Sequence, residues 1–218
     1  MSLRTALFTA YDDAYAPLGN LTVPLMLSYA SQHAFDFKCY RTPIIDDIPN
    51  AIYWAGVCGA IEAFNCGYDR VMYLDADQMI TNPDIVPQVA EAGVAISKDW
   101  GADAVEPWHF SMCGWIAHRN SAILFRKALA LEPDFRDKSF PEQAPVQHLY
   151  RTIPWVPPMV SVHNRRTFNA VPKEVSPGNV PDPWRPGDFA AHLTMASVPE
   201  RVAMFHKIKA QCEMVVEA

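Results

Sequence analysis

Short apolar runs alternate with longer stretches of helical period over about the first 100 residues. Leu3–Ala10 reads as a strand, and Asn20 to about Gln32 as a helix that Asn20 or Thr22 can cap, with Pro24 in its first turn. Phe35–Arg41 has the alternation of a second strand. Asp46-Asp47-Ile48-Pro49 opens a helix to about Asn65, with Val57, Ile61 and Phe64 on one face and Gly67 placed to end it. Val71–Leu74 is continuously apolar, as expected of a strand buried on both faces. Ile80–Pro83 turns the chain, Asp84–Glu91 reads as a short helix, and Val94–Lys98 as another strand. Strands spaced by helices predict an α/β fold with a mostly parallel central sheet.

The second half is less regular. Gly114–His118 reads as a strand, Asn120 as the cap of a helix to about Glu132, and Glu142–Arg151 as a further helix. Eight prolines lie from Pro154 to Pro186, with Trp155 and Trp184 among them, so most of this segment is neither helix nor central strand. A loop of that length, 154–187, predicts a lid or a substrate wall. Phe189–Leu193 reads as a last strand and Glu200–Val216 as a helix with Val202, Phe205, Ile208 and Cys212 near one face. Nothing marks a domain boundary, so residues 1–218 are expected to form one domain. A regular half, 1–100, is followed by a less regular half, 101–218.

Composition narrows the class. Half of the residues are hydrophobic and 19% charged, which is globular, and the formal charge of −6 offers no basic stripe for nucleic acid. A nucleotide held through a cation remains compatible with that charge. Met1-Ser-Leu-Arg-Thr-Ala6 has no apolar leader, and no run of about 18 apolar residues predicts a membrane span. The five cysteines are scattered without metal-site spacing, which fits a reducing, cytoplasmic compartment. Oligomeric state is left open.

The chemistry centres on Asp75 and Asp77. They follow the apolar strand at its C-terminal end, where open α/β sheets place ligands. Paired carboxylates that leave strand geometry can converge on a hard divalent ion, which would neutralise a diphosphate leaving group. Tyr11, Asp12 and Asp13 end the first strand; they are either a polar turn or, as the resemblance set out below implies, the place of a base and ribose. Asp99 and Trp100 could meet sugar hydroxyls and an apolar sugar face, and Asp103 stands in the same glycine-containing loop. Arg165, Arg166 and Arg201 could reach a diphosphate or simply be solvated.

Several segments also match a known pattern in order. These are Tyr68-Asp-Arg-Val-Met-Tyr-Leu-Asp-Ala-Asp-Gln-Met-Ile-Thr-Asn-Pro83, Ser97-Lys-Asp-Trp100, Met112-Cys-Gly-Trp-Ile-Ala-His-Arg-Asn-Ser121, Glu142-Gln143, Phe168-Asn-Ala-Val-Pro172 and Gly187-Asp-Phe-Ala-Ala-His-Leu193. Over roughly residues 68–195 they resemble the GT-A-fold glycosyltransferases, in particular the galactosyl/xylosyltransferase family 34, with its "LDxDxxIxNP", "NTGSFLxRNS", "FNxYP" and "GDFxxHF" segments.

The resemblance implies a GT-A fold, a donor that is a nucleotide diphosphate sugar (UDP-linked), a glycan or other hydroxyl acceptor, and retention of configuration. It implies His192 as the third ligand of Mn²⁺ (or Mg²⁺) beside Asp75 and Asp77, Gln143 beside the reacting carbon, and Glu142 as the neighbouring acid. It also places Ala76 with the nucleotide and Gly114 with the sugar. A glutamine is a poor nucleophile, so front-face displacement fits, whereas a covalent route would need Glu142 or Asp99. The sequence departs from the family at Gly56, where a basic residue is common, at Met112 in place of asparagine, and at Ala144, where a polar residue is usual. Two rival classes are a nucleotidyl- or phosphoryl-transfer enzyme using paired aspartates and Mg²⁺, and a non-catalytic nucleotide-sugar or glycan-binding module.

Overall fold

The computed structural model describes residues 3–42, 44, 51–91, 93–99, 108–173 and 182–216. Strand β1 (Thr5–Ala10), buried throughout, lies between β2 (Asp36–Tyr40) and β3 (Arg70–Leu74), parallel to both. Then β6 (Phe110–His118) runs antiparallel to β3 and to β5 (Val94–Lys98), and β7 (Val160–His163) pairs in parallel with β5. The order β2-β1-β3-β6-β5-β7 is that of one α/β domain with a mostly parallel central sheet.

The pleat sorts side chains onto two faces. Phe8, Val71, Tyr73 and Trp115 point to one, where they meet α2 (Ala55–Asn65), α3 (Ala122–Ala130) and α5 (Gln143–Thr152). Leu7, Met72, Leu74 and Ile116 point to the other, where α1 (Ala16–Gln32) contributes Met26, Tyr29 and Ala30. Each such buried side chain stabilises the fold by about 1.5–3 kcal/mol. Continuous apolarity in β3 thus reflects helices on both faces.

Three expectations shift. Helix α1 starts four residues early, because Asp12 accepts the Tyr15 N–H at 3.1 Å and Pro17 occupies the first turn; Pro24 is interior. No helix forms over Asp84–Glu91, which is a turn and irregular chain. Asn82 caps the turn through the Asp84 N–H (3.2 Å), Tyr29 takes the Ile85 carbonyl (3.1 Å), and Pro87 has no N–H to donate to a second turn. The turn before α3 is capped by His118, whose Nδ1 accepts from Asn120, so Asn120 is the capped residue.

Residues 45–50, expected to open the second helix, lie outside the described residues; a 3₁₀ turn Ala51–Trp54 leads into α2. Gly67 ends that helix at φ 86°, which suits glycine. Within the proline-rich segment the one strand of the large sheet, β7, lies at an edge, where missing N–H donors are tolerated.

A second, two-stranded sheet pairs β4 (Gln78–Ile80) antiparallel with β8 (Ala190–His192), Gln78 opposite His192. Its apolar side chains pack with Leu18 of α1 and with Phe205 and Ile208 of α6 (Val198–Val216), as the period of that helix predicts. Among the described residues no helix is long and apolar enough to cross a membrane.

Candidate functional site

Beyond Leu74 the chain leaves the large sheet through a turn. The Asp75 N–H still donates to the Cys113 carbonyl (2.8 Å), and the Gln78 N–H closes back on the Asp75 carbonyl (2.9 Å). Thr22 of α1 donates to the Ala76 carbonyl at 2.6 Å and fixes the turn from below. The chain then enters β4, whose partner β8 carries His192. Leu193 N–H donates to the Asp77 carbonyl (2.8 Å), so the ladder holds His192 beside Asp77. One ligand atom each from Asp75, Asp77 and His192 lie within 4.8 Å of one another. Opposite ligands around an ion with bonds of about 2.1 Å stand about 4.2 Å apart, so small side-chain adjustments close this set on one cation.

The electrostatics fit the same purpose. Burial first, and then the Asp77 carboxylate, push the Asp75 carboxyl up to about 8, while a hydrogen bond from Tyr73 (2.6 Å) pulls the other way. Asp77 is also buried, but His192 (Nε2 at 3.2 Å) and Arg201 (2.6 Å to Oδ2) outweigh that and hold it below the usual carboxylate range. Burial opposes charge on His192, yet Asp77 and Cys113 lift its pKa well above that of a free imidazole. Asp77 Oδ1 is buried and faces the His192 ring nitrogen at 3.2 Å. A buried carboxylate and an imidazole beside a second, strained carboxylate make a donor set that suits a hard divalent ion.

Asn169 sets the imidazole. Its Nδ2 donates to the Lys98 carbonyl at 3.2 Å, which turns its Oδ1 to His192 Nδ1 at 2.7 Å. Nδ1 is then a donor to Asn169, and Nε2 is turned to the Asp77 carboxylate, where it would give up its proton to a cation bound there. In the sequence Asn169 is marked only by its place in the matched segment Phe168–Pro172, with no role attached to it.

Asp75 and Asp77 border a cleft of about 330 Å³, lined also by Tyr11, Asp12, Tyr15, Tyr53, Ala76 and Glu142 among others. That volume is at the lower end of small-ligand pockets, about 300–1,000 Å³.

Neither the protein-family models nor the curated proteins contain a match to the sequence. Among solved structures, a glycosyltransferase involved in the glycosylation of the major capsid of PBCV-1 superposes with a TM-score of 0.65 at 13% identity. The alignment covers 94% of this chain and 99% of that one. The two chains share a fold. The glycosyltransferase GlyE of Streptococcus pneumoniae TIGR4 aligns over 76% of this chain and 46% of its own, at 12% identity and TM-score 0.49.

The remaining residues fall in distinct places. Tyr11 is buried, its hydroxyl donating to Asn20 (3.2 Å) and its ring 4.2 Å from the Arg41 guanidinium carbon. A Cβ on Gly19 would come within 2.6 Å of that ring, so the ring is packed by α1 on one side and faces a cation. Asp13 is exposed and pairs with Arg41 at 2.9 Å. The exposed Tyr53 and the half-buried Tyr15 line the same cleft, and the sequence reading passed over both. Glu142 lines it too; its Oε2 is buried without a partner, and burial pushes its carboxyl up to about 7.

Gln143 is tied on both sides: Oε1 accepts from the Met112 N–H (3.0 Å) and Nε2 donates to Asp99 Oδ2 (3.1 Å). Gly114 lies inside β6, where a Cβ would sit 2.7 Å from Gln78 Oε1; its open face is filled by that amide. Trp100 and Asp103 lie outside the described residues. Arg166 grips Asp188 through both Nε and Nη2. Arg201 reaches into the cation site, although its sequence context resembles that of a solvated arginine. Gly56 is also accounted for: a Cβ there would lie 3.2 Å from the Tyr73 ring, so the space beneath that tyrosine has no room for a long basic side chain.

Proposed function

We propose that this chain is a metal-dependent glycosyltransferase of a single GT-A domain. It would move a sugar from a nucleotide diphosphate donor, UDP-linked, to a glycan or other hydroxyl acceptor with retention of configuration. The observation that carries the reading is the meeting of Asp75, Asp77 and His192 at the C-terminal end of β3, beside a ligand-sized cleft. The shared fold with a glycosyltransferase supports it, and retention rests on the family resemblance.

Asp75, Asp77 and His192 would hold Mn²⁺ or Mg²⁺, which when bound supplies positive charge to the diphosphate as it leaves. Arg201, already bonded to Asp77, would share the developing charge. Tyr11, Asp12, Asp13 and Ala76 would border the nucleotide, with Tyr53 and Tyr15 offering aromatic faces at the opening. Gln143 and Asp99 form one hydrogen-bonded pair and would position the sugar. The Gln143 amide is no nucleophile, so the leaving phosphate would accept the proton of the incoming hydroxyl. Glu142 is the cleft carboxyl outside the cation set that can hold or release a proton near neutrality.

Thermal unfolding with UDP alone and with UDP plus Mn²⁺ tests the proposal. Metal-dependent stabilisation is expected, about 2.7 kcal/mol at a ligand concentration of 100 Kd. Unchanged melting with every nucleoside diphosphate, with and without Mn²⁺, would overturn it. Hydrolysis of UDP-sugars without acceptor separates an enzyme from a binding module.

A further inference from the structure

Arg165 is folded into the interior: it opens a 3₁₀ turn, Arg165–Thr167, shortly after β7, and is 6% exposed. An arginine is rarely buried this deeply unless its donors are used. Here Nε donates to the main-chain carbonyl of Asp99 at 2.6 Å. The turn is anchored in its own right. Asn164 Oδ1 accepts from the Arg166 N–H (2.9 Å), the Asn164 carbonyl accepts from Ser97 Oγ (3.1 Å), and the Arg165 carbonyl accepts from the Asn169 N–H (2.7 Å).

Asp99 needs such a hold because of how β5 ends. That strand runs in the direction of β3, so Asp99 leaves the large sheet at the same end as Asp75. The ladder to β6 is broken just before it: Ile96 lies opposite Trp115 but Ser97 opposite Ser111, so Met112–Gly114 have no partner on β5. The Met112 N–H goes to Gln143 Oε1 (3.0 Å), and Gln143 Nε2 goes on to Asp99 Oδ2 (3.1 Å). The Asp99 backbone is held on both sides, its N–H by the His109 carbonyl (3.1 Å) and its carbonyl by Arg165. The same turn reaches the cation side, since Asn169, whose N–H closes on Arg165, carries its Oδ1 to His192 Nδ1 (2.7 Å).

We propose that Arg165 is a positioning residue for the donor sugar, holding the Asp99–Gln143 pair in place relative to the cation site. The inference rests on the function proposed above. Arg165 would act through the Asp99 peptide without meeting the donor itself. A misplacement of about 1 Å near a reacting centre can cost about 100-fold in rate, so one buried bond at this point is enough to matter. The nucleotide and the cation are held by other residues and should not sense its loss.

Two substitutions of similar length isolate the bond. In Arg165→Met a methyl group falls where Nε stood; in Arg165→Gln an amide nitrogen falls there and can still donate. Both remove the charge. The readouts are hydrolysis of UDP-glucose, UDP-galactose and UDP-xylose with Mn²⁺, the inhibition constant of UDP, and Mn²⁺ affinity by electron paramagnetic resonance. Arg165→Met should lower kcat on the best of the three donors at least about tenfold, with UDP and Mn²⁺ affinities within about threefold of wild type. Arg165→Gln should return kcat to within about threefold. On an Asp99→Ala background, Arg165→Met should cost less than about twofold more, because the two changes remove one interaction. Arg165→Gln as slow as Arg165→Met, or effects that multiply with Asp99→Ala, would overturn the positioning role. So would a loss of Mn²⁺ and UDP affinity in step with kcat, which would make the turn a support of the whole site. Unchanged hydrolysis by Arg165→Met protein overturns this inference alone, whereas wild-type protein that binds neither UDP nor Mn²⁺ removes the proposed function and this inference with it.

Discussion

The large sheet and the β4·β8 ladder meet at Asp75, yet they are held by different forces. In the large sheet, β3 and β6 are buried on both faces, and Trp115, wholly buried, packs against Tyr73 and Phe125 with ring centroids 5.7 and 4.8 Å away. Such a core is sustained by many small contacts, and the loss of one leaves the strand in place. The ladder has three residues per strand and depends on named bonds. Leu193 N–H to Asp77, Thr81 and Asn82 N–H to Phe189, and the Asp188–Arg166 pair hold it. The large sheet offers a fixed edge; the ladder brings distant residues to it. Stability and chemistry are therefore separable here to an unusual degree, and substitutions should show it.

Asp75→Asn is the most severe test on the chemical side. Donor-dependent turnover should fall by at least about a thousandfold, on the order of 4 kcal/mol of transition-state stabilisation. Unfolding in urea with EDTA should show no loss of stability, because the carboxyl is strained by burial and by Asp77. Turnover within tenfold of wild type would remove the residue from the cation set. Trp115→Ala is the counterpart: about 3–5 kcal/mol of stability lost, with Mn²⁺ affinity of the remaining folded fraction nearly unchanged. A Trp115→Ala protein that folds normally yet fails to bind Mn²⁺ would mean that core and ladder are not separable.

The same division explains what could be read from the chain. Apolar continuity in Val71–Leu74 and the helical period around Phe64 report burial by large elements, and both are where the pattern places them. Asp75 and Asp77 inherit their position from that strand. The ladder carries no such signal: Gln78–Ile80 is too short for a period, and the sequence places a turn at Ile80–Pro83 without a strand before it. Nothing in the spacing between Asp77 and His192 indicates that they meet; only the resemblance pointed there, and the structure brings them together. Asn169 reaches the site through His192, and Arg201 through Asp77 and the Tyr15 ring; such contacts across the fold follow no local period, and for Asn169 only the matched Phe168–Pro172 segment marks it. The absent Asp84–Glu91 helix shows the opposite error, in which polar and apolar spacing outweighed what Pro87 forbids.

Glu142 tests whether the cleft wall belongs to the core or to the chemistry. Its carboxyl is raised from 4.5 to about 7, chiefly by burial. Between those values the folded protein holds a proton that the unfolded chain releases, so stability falls as pH rises through that window and the loss is complete above about 7. Glu142→Gln removes the ionisation. In EDTA it should be more stable than wild type by about 1–3 kcal/mol at pH 8 and nearly equal to it at pH 4. Parallel stability curves for the two proteins would show that the carboxyl is not strained.

Asn169 gives the smallest expected effect and the sharpest division between the regions. It belongs to the proline-rich segment, is 1% exposed, and touches the cation site only through His192 Nδ1. Asn169→Ala leaves the Lys98 carbonyl and the imidazole N–H without their partner and frees the ring to turn, so Mn²⁺ affinity should drop about 10–100-fold. A packing defect alone would give the same drop in every variant of that size. Asn169→Asp distinguishes the two: its carboxylate can still accept from Nδ1 and should recover most of the Mn²⁺ affinity, even where melting temperature is not recovered. If Asn169→Asp binds Mn²⁺ no better than Asn169→Ala, the amide supports the ladder by packing, and the imidazole is oriented by the Asp77 backbone bond instead.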